Sequence, residues 1–439
     1  MAKIVLIGGG SYNWTPGLVR DMIVRPELAG SELWLVDINP QALTDLEKYC
    51  KALFEYTKSD FTLHVTDSRD EALPDADFVV ITISTGGLDA MKHDLEIPYK
   101  YGIYQPVGDT VGPGGISRAL RNIPVFVEFA ESIMKHCPDA WIINITNPMT
   151  VLTQTLAQAG CKVIGLCHEL YAIWGLLKEH FHCEWDDISL SVAGLNHFAF
   201  ILSAKYKDRD CFGVFKQWID DPKNQLLKAD VDLTHEQTHG HHLFKFEYFR
   251  RTGRMMYPGD RHTSEFFSNV LTKDTNYGAI YNIKLTKIED RFDWLKKAKQ
   301  HVKEWTEKPE TVELKPSREA LTSIMISLIT GKPLVEVVNL PNEGQIDNLP
   351  RGVVVETMAT ITANSVVPHS VGTLPDDIAM LMSHHAHRYN VVIESALTGS
   401  RKLALEAMST DPLVREWQTA DKLLDELLQA NKELLPQFK

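Results

Sequence analysis

Two short runs pair histidine with other groups able to bind metal or move protons. Cys167-His168-Glu169 puts a thiol, an imidazole and a carboxylate side by side, and Gly194-Leu195-Asn196-His197 ends in a second imidazole. Thiolate and imidazole together bind a divalent ion, and so small a protein set leaves coordination positions open, as a catalytic ion needs and a structural one does not. Ordinary packing is the competing reading of either run taken alone. His235-Glu236-Gln237-Thr238-His239 matches H-E-x-x-H, which on a helix would aim two imidazoles at zinc. Its neighbours Asp230, Asp232, Thr234 and Gly240 are not those of a buried peptidase helix, and a solvated helix start or a substrate-side loop suits them better. In Tyr257-Pro258-Gly259-Asp260-Arg261-His262 the Pro-Gly pair forces a turn that presents an acid, a guanidinium and an imidazole together, either as working groups or as an ordinary exposed turn.

A nucleotide could be held at the other end of the chain. Gly8-Gly9-Gly10-Ser11 removes side chains where a pyrophosphate would approach backbone N–H groups, just ahead of a helix N-terminus whose partial charge favours an anion. Asn13 stands where the third glycine of the common dinucleotide fingerprint would fall, so the turn alone is a weak signal. Asp37 ends the next strand, placed to accept hydrogen bonds from an adenosine ribose and to repel a 2′-phosphate, which points to NAD over NADP.

These groups need a frame. Residues 3–7 read as a buried strand, 8–13 as a turn, and Thr15-Pro16 as a helix start with Pro at the first helical position. Strands at 32–37, 61–65, 78–83, 141–145 and 163–166 follow, with a helix opened by Asn39-Pro40 and further helical segments between several of them. Such alternation predicts an α/β fold, a Rossmann-like doubly wound parallel sheet, with Thr82 and Asn144 at the carboxyl ends where ligands bind. Beyond Cys167 the pattern changes to a helix at 171–180, strands at 188–195 and 199–206, and long helical stretches to the end, the last an amphipathic helix from 412 to 430 packed on the body. The expected division is 1–167 for the nucleotide and 168–439 for an α+β, mostly helical domain that binds metal and substrate and carries oligomer contacts.

Composition narrows the partners. The 439 residues are 44% hydrophobic and 23% charged, ordinary for a globular enzyme. A net charge of −13 repels nucleic acid and anionic membranes alike. The apolar run 4–7 is too short for a signal-peptide core, no stretch has the apolar length of a membrane span, and six cysteines show no paired framework. The expectation is a cytoplasmic protein with reduced thiols.

Taken together, Ile7-Gly8-Gly9-Gly10-Ser11-Tyr12-Asn13-Trp14-Thr15-Pro16, Asn144-Ile145-Thr146-Asn147-Pro148, Cys167-His168-Glu169 and Gly194-Leu195-Asn196-His197 occur in an order that resembles glycoside hydrolase family 4. Gly108-Asp109-Thr110-Val111-Gly112-Pro113-Gly114-Gly115 and Val338-Asn339-Leu340-Pro341-Asn342-Glu343-Gly344-Gln345 look like that family too, so the resemblance spans nearly the whole chain. It implies a glycosidase that needs NAD and Mn²⁺ and departs from the usual two-carboxylate mechanism. In that chemistry NAD⁺ takes hydride from C3 of the sugar, a base removes the acidified C2 proton, the aglycone leaves, water adds at C1, and the hydride is returned. By the same resemblance Cys167 and His197 hold Mn²⁺, and His168 occupies the position of an acid. Asp260 is the C2 base with Tyr257 in reserve, and Asn147, Glu169 and Asn196 meet the sugar. The run after the cysteine resembles the Cys-His-Glu-Val of α-galacturonidases, with Leu170 for Val, and a uronate carboxylate would need a cation such as Arg261 or His262. An α-galacturonide is thus the first expected substrate, ahead of an α-glucuronide and of neutral α-galactosides or α-glucosides. The resemblance also implies a homo-oligomer, dimer or tetramer. An NAD-dependent hydroxy-acid dehydrogenase and a non-catalytic NAD sensor are the rivals from other classes.

Overall fold

The chain opens on β1 (Lys3–Ile7), whose residues beyond Lys3 are all buried and which pairs in parallel with β2 (Glu32–Val36) on one side and β4 (Phe78–Ile81) on the other. An uninterrupted apolar strand of this kind belongs at the centre of a sheet covered on both faces. In the computed structural model, which describes residues 1–221, 242–317 and 319–438, that is where it lies. With β3 (Thr62–Thr66), β5 (Trp141–Asn144) and β6 (Lys162–Gly165), the parallel strands run in the order β3-β2-β1-β4-β5-β6, the doubly wound order of dinucleotide-binding folds. The H-E-x-x-H run lies outside the described residues.

Past β6 the sheet continues with its direction reversed. β11 (Leu334–Pro341) meets β6 antiparallel at Asn339 and Gly165, then β12 (Val354–Thr362), β7 (Ile188–Leu195), β8 (Phe198–Tyr206) and β10 (Met255–Met256) follow, each antiparallel to the last. β13 (Ser365–Pro368) and β9 (Arg209–Asp210) pair off the main path, giving 13 strands in one sheet among the described residues. The sequence reading placed long helices over this region and overlooked β11 and β12. Both are rich in β-branched residues and span eight and nine residues, a legible strand signal once helical length is not assumed.

Helices cover both faces. One core gathers the helices Gly112–His136, Met149–Gln158 and Asp376–Thr398, and the other Thr15–Ile23, Pro40–Thr57 and Leu321–Thr330. Helix Pro40–Thr57 starts where expected because the Asn39 side chain accepts from the Ala42 amide at 3.1 Å and Pro40 needs no N–H partner. The last long helix, Trp417–Ala430, is shorter at its start than the sequence suggested, and it packs Leu423, Leu424 and Leu427 on the body as expected.

Candidate active site

Three residues far apart in sequence converge. Asp109, His197 and His262 each offer a ligand atom, and these atoms lie within 4.8 Å of one another. His197 forms the tight turn between β7 and β8 with Asn196 and takes a left-handed φ of 66°, as a tight hairpin turn requires and as histidine adopts more readily than most residues. His262 comes from the short helix Asp260–Thr263, and its ring lies 3.8 Å, centroid to centroid, from that of His197. Asp109 is delivered by the glycine-rich loop ahead of helix Gly112–His136. That loop is pinned from two sides: Glu265 accepts from the Val107 and Gly108 amides at 2.7 and 2.9 Å, and Asp411 accepts from Gly112 at 3.1 Å.

The electrostatics suit a divalent cation. Burial works against an ionised Asp109, but the surrounding His262, His197 and Arg118 groups outweigh it and take the carboxyl down to about 2. Burial, with His197 beside it, pushes His262 down to about 3. At neutral pH the cluster therefore holds an anion and a neutral imidazole, the protonation states a metal ligand requires. Nδ1 of His197 is 2.8 Å from the Thr110 hydroxyl, an outer-shell contact that fixes the ring. Nδ1 of His262 is buried with no hydrogen-bond partner, and a bound ion would satisfy it.

Cys167 lies outside this cluster. Burial, followed by the charges of Glu356 and Glu169, raises its thiol well above the usual range, a shift that a cation bound at the sulfur would reverse. It belongs to a neighbouring polar group centred on Glu356, which accepts from Tyr257 Oη, from Asn339 Nδ2 at 2.6 Å and from Asn196 Nδ2 at 3.3 Å. Burial and Glu356 push the Tyr257 phenol up, so it resists becoming a phenolate base. Glu169 accepts the Gly259 amide and is buried, fastening the Pro-Gly turn to the Cys-His-Glu run.

Asp260 is buried rather than on an exposed turn, and its carboxylate accepts from the Phe244 and Lys245 amides at 2.7 and 3.2 Å, at the start of helix Leu243–Thr252. Burial raises its carboxyl to about 7 against the pull of Lys245 and these amides, which matches what proton transfer near neutrality asks. Arg261 spends its guanidinium on Lys284 O, Pro106 O and the Thr286 hydroxyl, all within 3.0 Å. His168 stands 2.9 Å from Glu319. Burial alone would lower it, but Glu319 and Glu169 overcome that and raise it to about 9, leaving a protonated imidazole at neutral pH. Asn147 donates to Asp109 at 3.4 Å and so touches the cluster directly.

At the glycine turn the strands leave no room for side chains. A Cβ on Gly8, whose φ is 92°, would fall 1.9 Å from the Thr82 carbonyl oxygen, one on Gly9 2.8 Å from Leu35, and one on Gly10 2.6 Å from the Asp37 carboxylate. Asp37 accepts from Gly10 N and Asn39 N, both at 2.9 Å, which leaves lone pairs for a ribose. Ser11 accepts from Trp14 N at 3.2 Å and shapes the entry to helix Thr15–Ile23. Asn144 is different: fully buried, its side chain bonds Thr146 and Thr153 and holds the loop after β5. In the sequence Asp109 stands inside a glycine-rich motif that gives it no role of its own, and Glu319 stands in no motif. Neither has a local signature, since each acquires its part only from a neighbour distant in the chain.

A doubly wound sheet with a stripped glycine turn at its carboxyl edge, beside an anionic cluster of imidazole and carboxylate donors, defines a nucleotide-fold enzyme with a place for a divalent ion. Models of the family 4 glycosyl hydrolases match residues 3–182, and those of that family's C-terminal domain match residues 192–414. The chain belongs to glycosyl hydrolase family 4 and is a glycosidase of that family. It is 36% identical to an α-galacturonidase of Thermoanaerobacter italicus, over 99% of this chain and 97% of that protein. A solved structure described as that of a glucosidase, lplD, from Bacillus subtilis is 32% identical, with a TM-score of 0.89 over 98% of this chain and all of that one. A 6-phospho-β-glucosidase of Thermotoga maritima, solved with manganese, NAD⁺ and glucose 6-phosphate, is 25% identical, with a TM-score of 0.81 over 98% of each chain. This membership sets aside the dehydrogenase and sensor readings. Among the described residues no helix is long and apolar enough to cross a membrane.

Proposed function

We propose that the chain is an α-galacturonidase that works with NAD and Mn²⁺. The observation that carries this reading is identity of 36% to an α-galacturonidase across nearly the full length of both chains. NAD, when bound, would supply a reversible hydride acceptor and the ion would stabilise negative charge developing on the sugar. The chain's own residues supply the rest. Gly8, Gly9 and Gly10 open the turn to a pyrophosphate, and Asp37 meets the ribose. Asp109, His197 and His262 hold the ion, Asn147 orients the sugar against them, and Asp260 receives a proton. His168, held protonated by Glu319, keeps a proton at Nε2 for the leaving oxygen. We read the protein as cytoplasmic and homo-oligomeric.

The test is release of reducing sugar from a small α-galacturonide, with the α-glucuronide and α-galactoside in parallel, each with and without NAD⁺ and Mn²⁺. Cleavage of the galacturonide that needs both and accumulates no NADH is expected. Cleavage of another glycoside alone would overturn the substrate, and net NADH formation would overturn the mechanism.

The role of His168 has its own signature. Its proton is present below about pH 9 and is lost as pH rises through that value, so kcat/KM should fall on the alkaline side near there. Glu319→Gln removes the group that raises it, and the alkaline limb should move toward the ordinary histidine value of about 6.5. A limb that stays put in the variant would remove His168 from the role.

A further inference from the structure

Three guanidinium groups interact with Asp109, those of Arg118, Arg261 and Arg291. Two are committed. Arg261 is tied to two carbonyls and a hydroxyl, and Arg118 donates from Nε to the carbonyl of Asn147 at 2.9 Å. Arg291 differs: its Nε is buried and has no hydrogen-bond partner. The side chain comes from the first turn of helix Ile288–Glu307 and is held by stacking, its guanidinium carbon 4.7 Å from the centroid of the Trp294 ring. That helix is anchored by Ile288, which packs on Met91 and Leu95.

A buried guanidinium N–H without an acceptor is costly, more so beside another cation, Arg261. The local charge also fails to balance. Once a divalent ion joins Arg118, Arg261 and Arg291, the carboxylates that face them, Asp109, Asp290 on Arg291's own helix, and Glu265 and Glu169 around Arg261, fall short of that positive charge. A neutral glycoside would leave that excess in place, and a hexuronide would bring the missing carboxylate. We infer that Arg291, set in place by Trp294, is the residue that binds the C6 carboxylate of the uronide and makes the site prefer it to the neutral sugar. This rests on the galacturonidase reading and replaces Arg261 and His262 as carboxylate partners, since one is spent on two carbonyls and a hydroxyl and the other belongs to the cluster with Asp109 and His197.

The experiment is calorimetric binding of galacturonate, and separately of galactose and NAD⁺, to the Mn²⁺-supplemented full chain and to Arg291→Gln and Arg291→Lys. Loss of a charge-assisted pair predicts galacturonate affinity down by roughly 10- to 100-fold in Arg291→Gln, partly restored in Arg291→Lys. Galactose and NAD⁺ should bind all three proteins alike. Equal galacturonate binding by wild type and Arg291→Gln would overturn the assignment while leaving the galacturonidase reading intact. Parallel loss of galactose and NAD⁺ binding would mean that Arg291 supports the fold of the site, and would overturn its role as a selective anchor. A wild type that binds galactose in preference to galacturonate would overturn the underlying reading and this assignment with it.

Discussion

Asp109→Asn should lose Mn²⁺ binding by at least the 10- to 100-fold that removing an outer-shell partner typically costs, and glycosidase activity should fall with it unless the ion is supplied in large excess. The expectation follows from geometry. Among the described residues Asp109 is the only carboxylate in the cluster with His197 and His262, and it remains ionised down to about pH 2, so it contributes the charge that two imidazoles cannot. Asparagine keeps the shape and the contact to Asn147 but removes that charge. The comparison that decides between ligand sets uses Cys167→Ser and His197→Ala beside it, with Mn²⁺ titrated by electron paramagnetic resonance. Both sets include His197, so its removal should abolish binding in either case. If the ion is held by Asp109, His197 and His262, Cys167→Ser should bind nearly as wild type does. If Cys167→Ser loses the ion and Asp109→Asn keeps it, the cluster is not the metal site and the pair suggested by family resemblance is.

That contest shows where the sequence was readable. The nucleotide end could be read because everything it needs is local: an apolar strand, glycines where Cβ atoms would strike β2 and β4, Pro at a helix start, and an acid ending the next strand. His197 stands out in the sequence because it ends the Gly194-Leu195-Asn196-His197 run, which closes a strand and resembles the family's. Asp109 was not assigned because nothing near residue 109 tells that residues 197 and 262 will be brought to it; that depends on a sheet that joins β6 to β11 through one residue pair and places the β7–β8 turn by the glycine-rich loop. Asp260 shows the same limit from the other side. The Pro-Gly turn was legible, but which helix would begin over its carboxylate was not, and the amides of Phe244 and Lys245 took up the acid. Arg261 and His262 lie beside that turn in sequence, yet of the guanidinium groups that interact with Asp109 the one whose Nε is buried without an acceptor belongs to Arg291 on another helix.

Gly8→Ala should cost the protein both its nucleotide and much of its stability. The residue adopts φ of 92°, and forcing alanine into that region costs on the order of 1–3 kcal/mol before any contact is counted. The new Cβ would then lie 1.9 Å from the Thr82 carbonyl oxygen, a backbone atom just past the end of β4. β4 cannot yield, because it is paired along its length with β1 and β5. Relief has to come from the turn itself, whose Gly8 and Gly9 amides are tied to Val36 O at 2.8 and 2.9 Å and whose Gly10 amide is tied to Asp37. The amides that would face a pyrophosphate move with it. Gly102→Ala is the control: φ there is 73°, but a Cβ would meet nothing within 4 Å, so only the conformational cost applies. The expected outcome is a melting temperature several degrees below wild type for Gly8→Ala without cofactor and NAD⁺ affinity down by about 100-fold or more, the equivalent of roughly 2.7 kcal/mol. Gly102→Ala should lose only that conformational share, on the order of 1–3 kcal/mol, and bind NAD⁺ normally. If Gly8→Ala binds NAD⁺ as wild type does, the dinucleotide does not lie on this turn, and the carboxyl edge of the sheet has to seat it elsewhere.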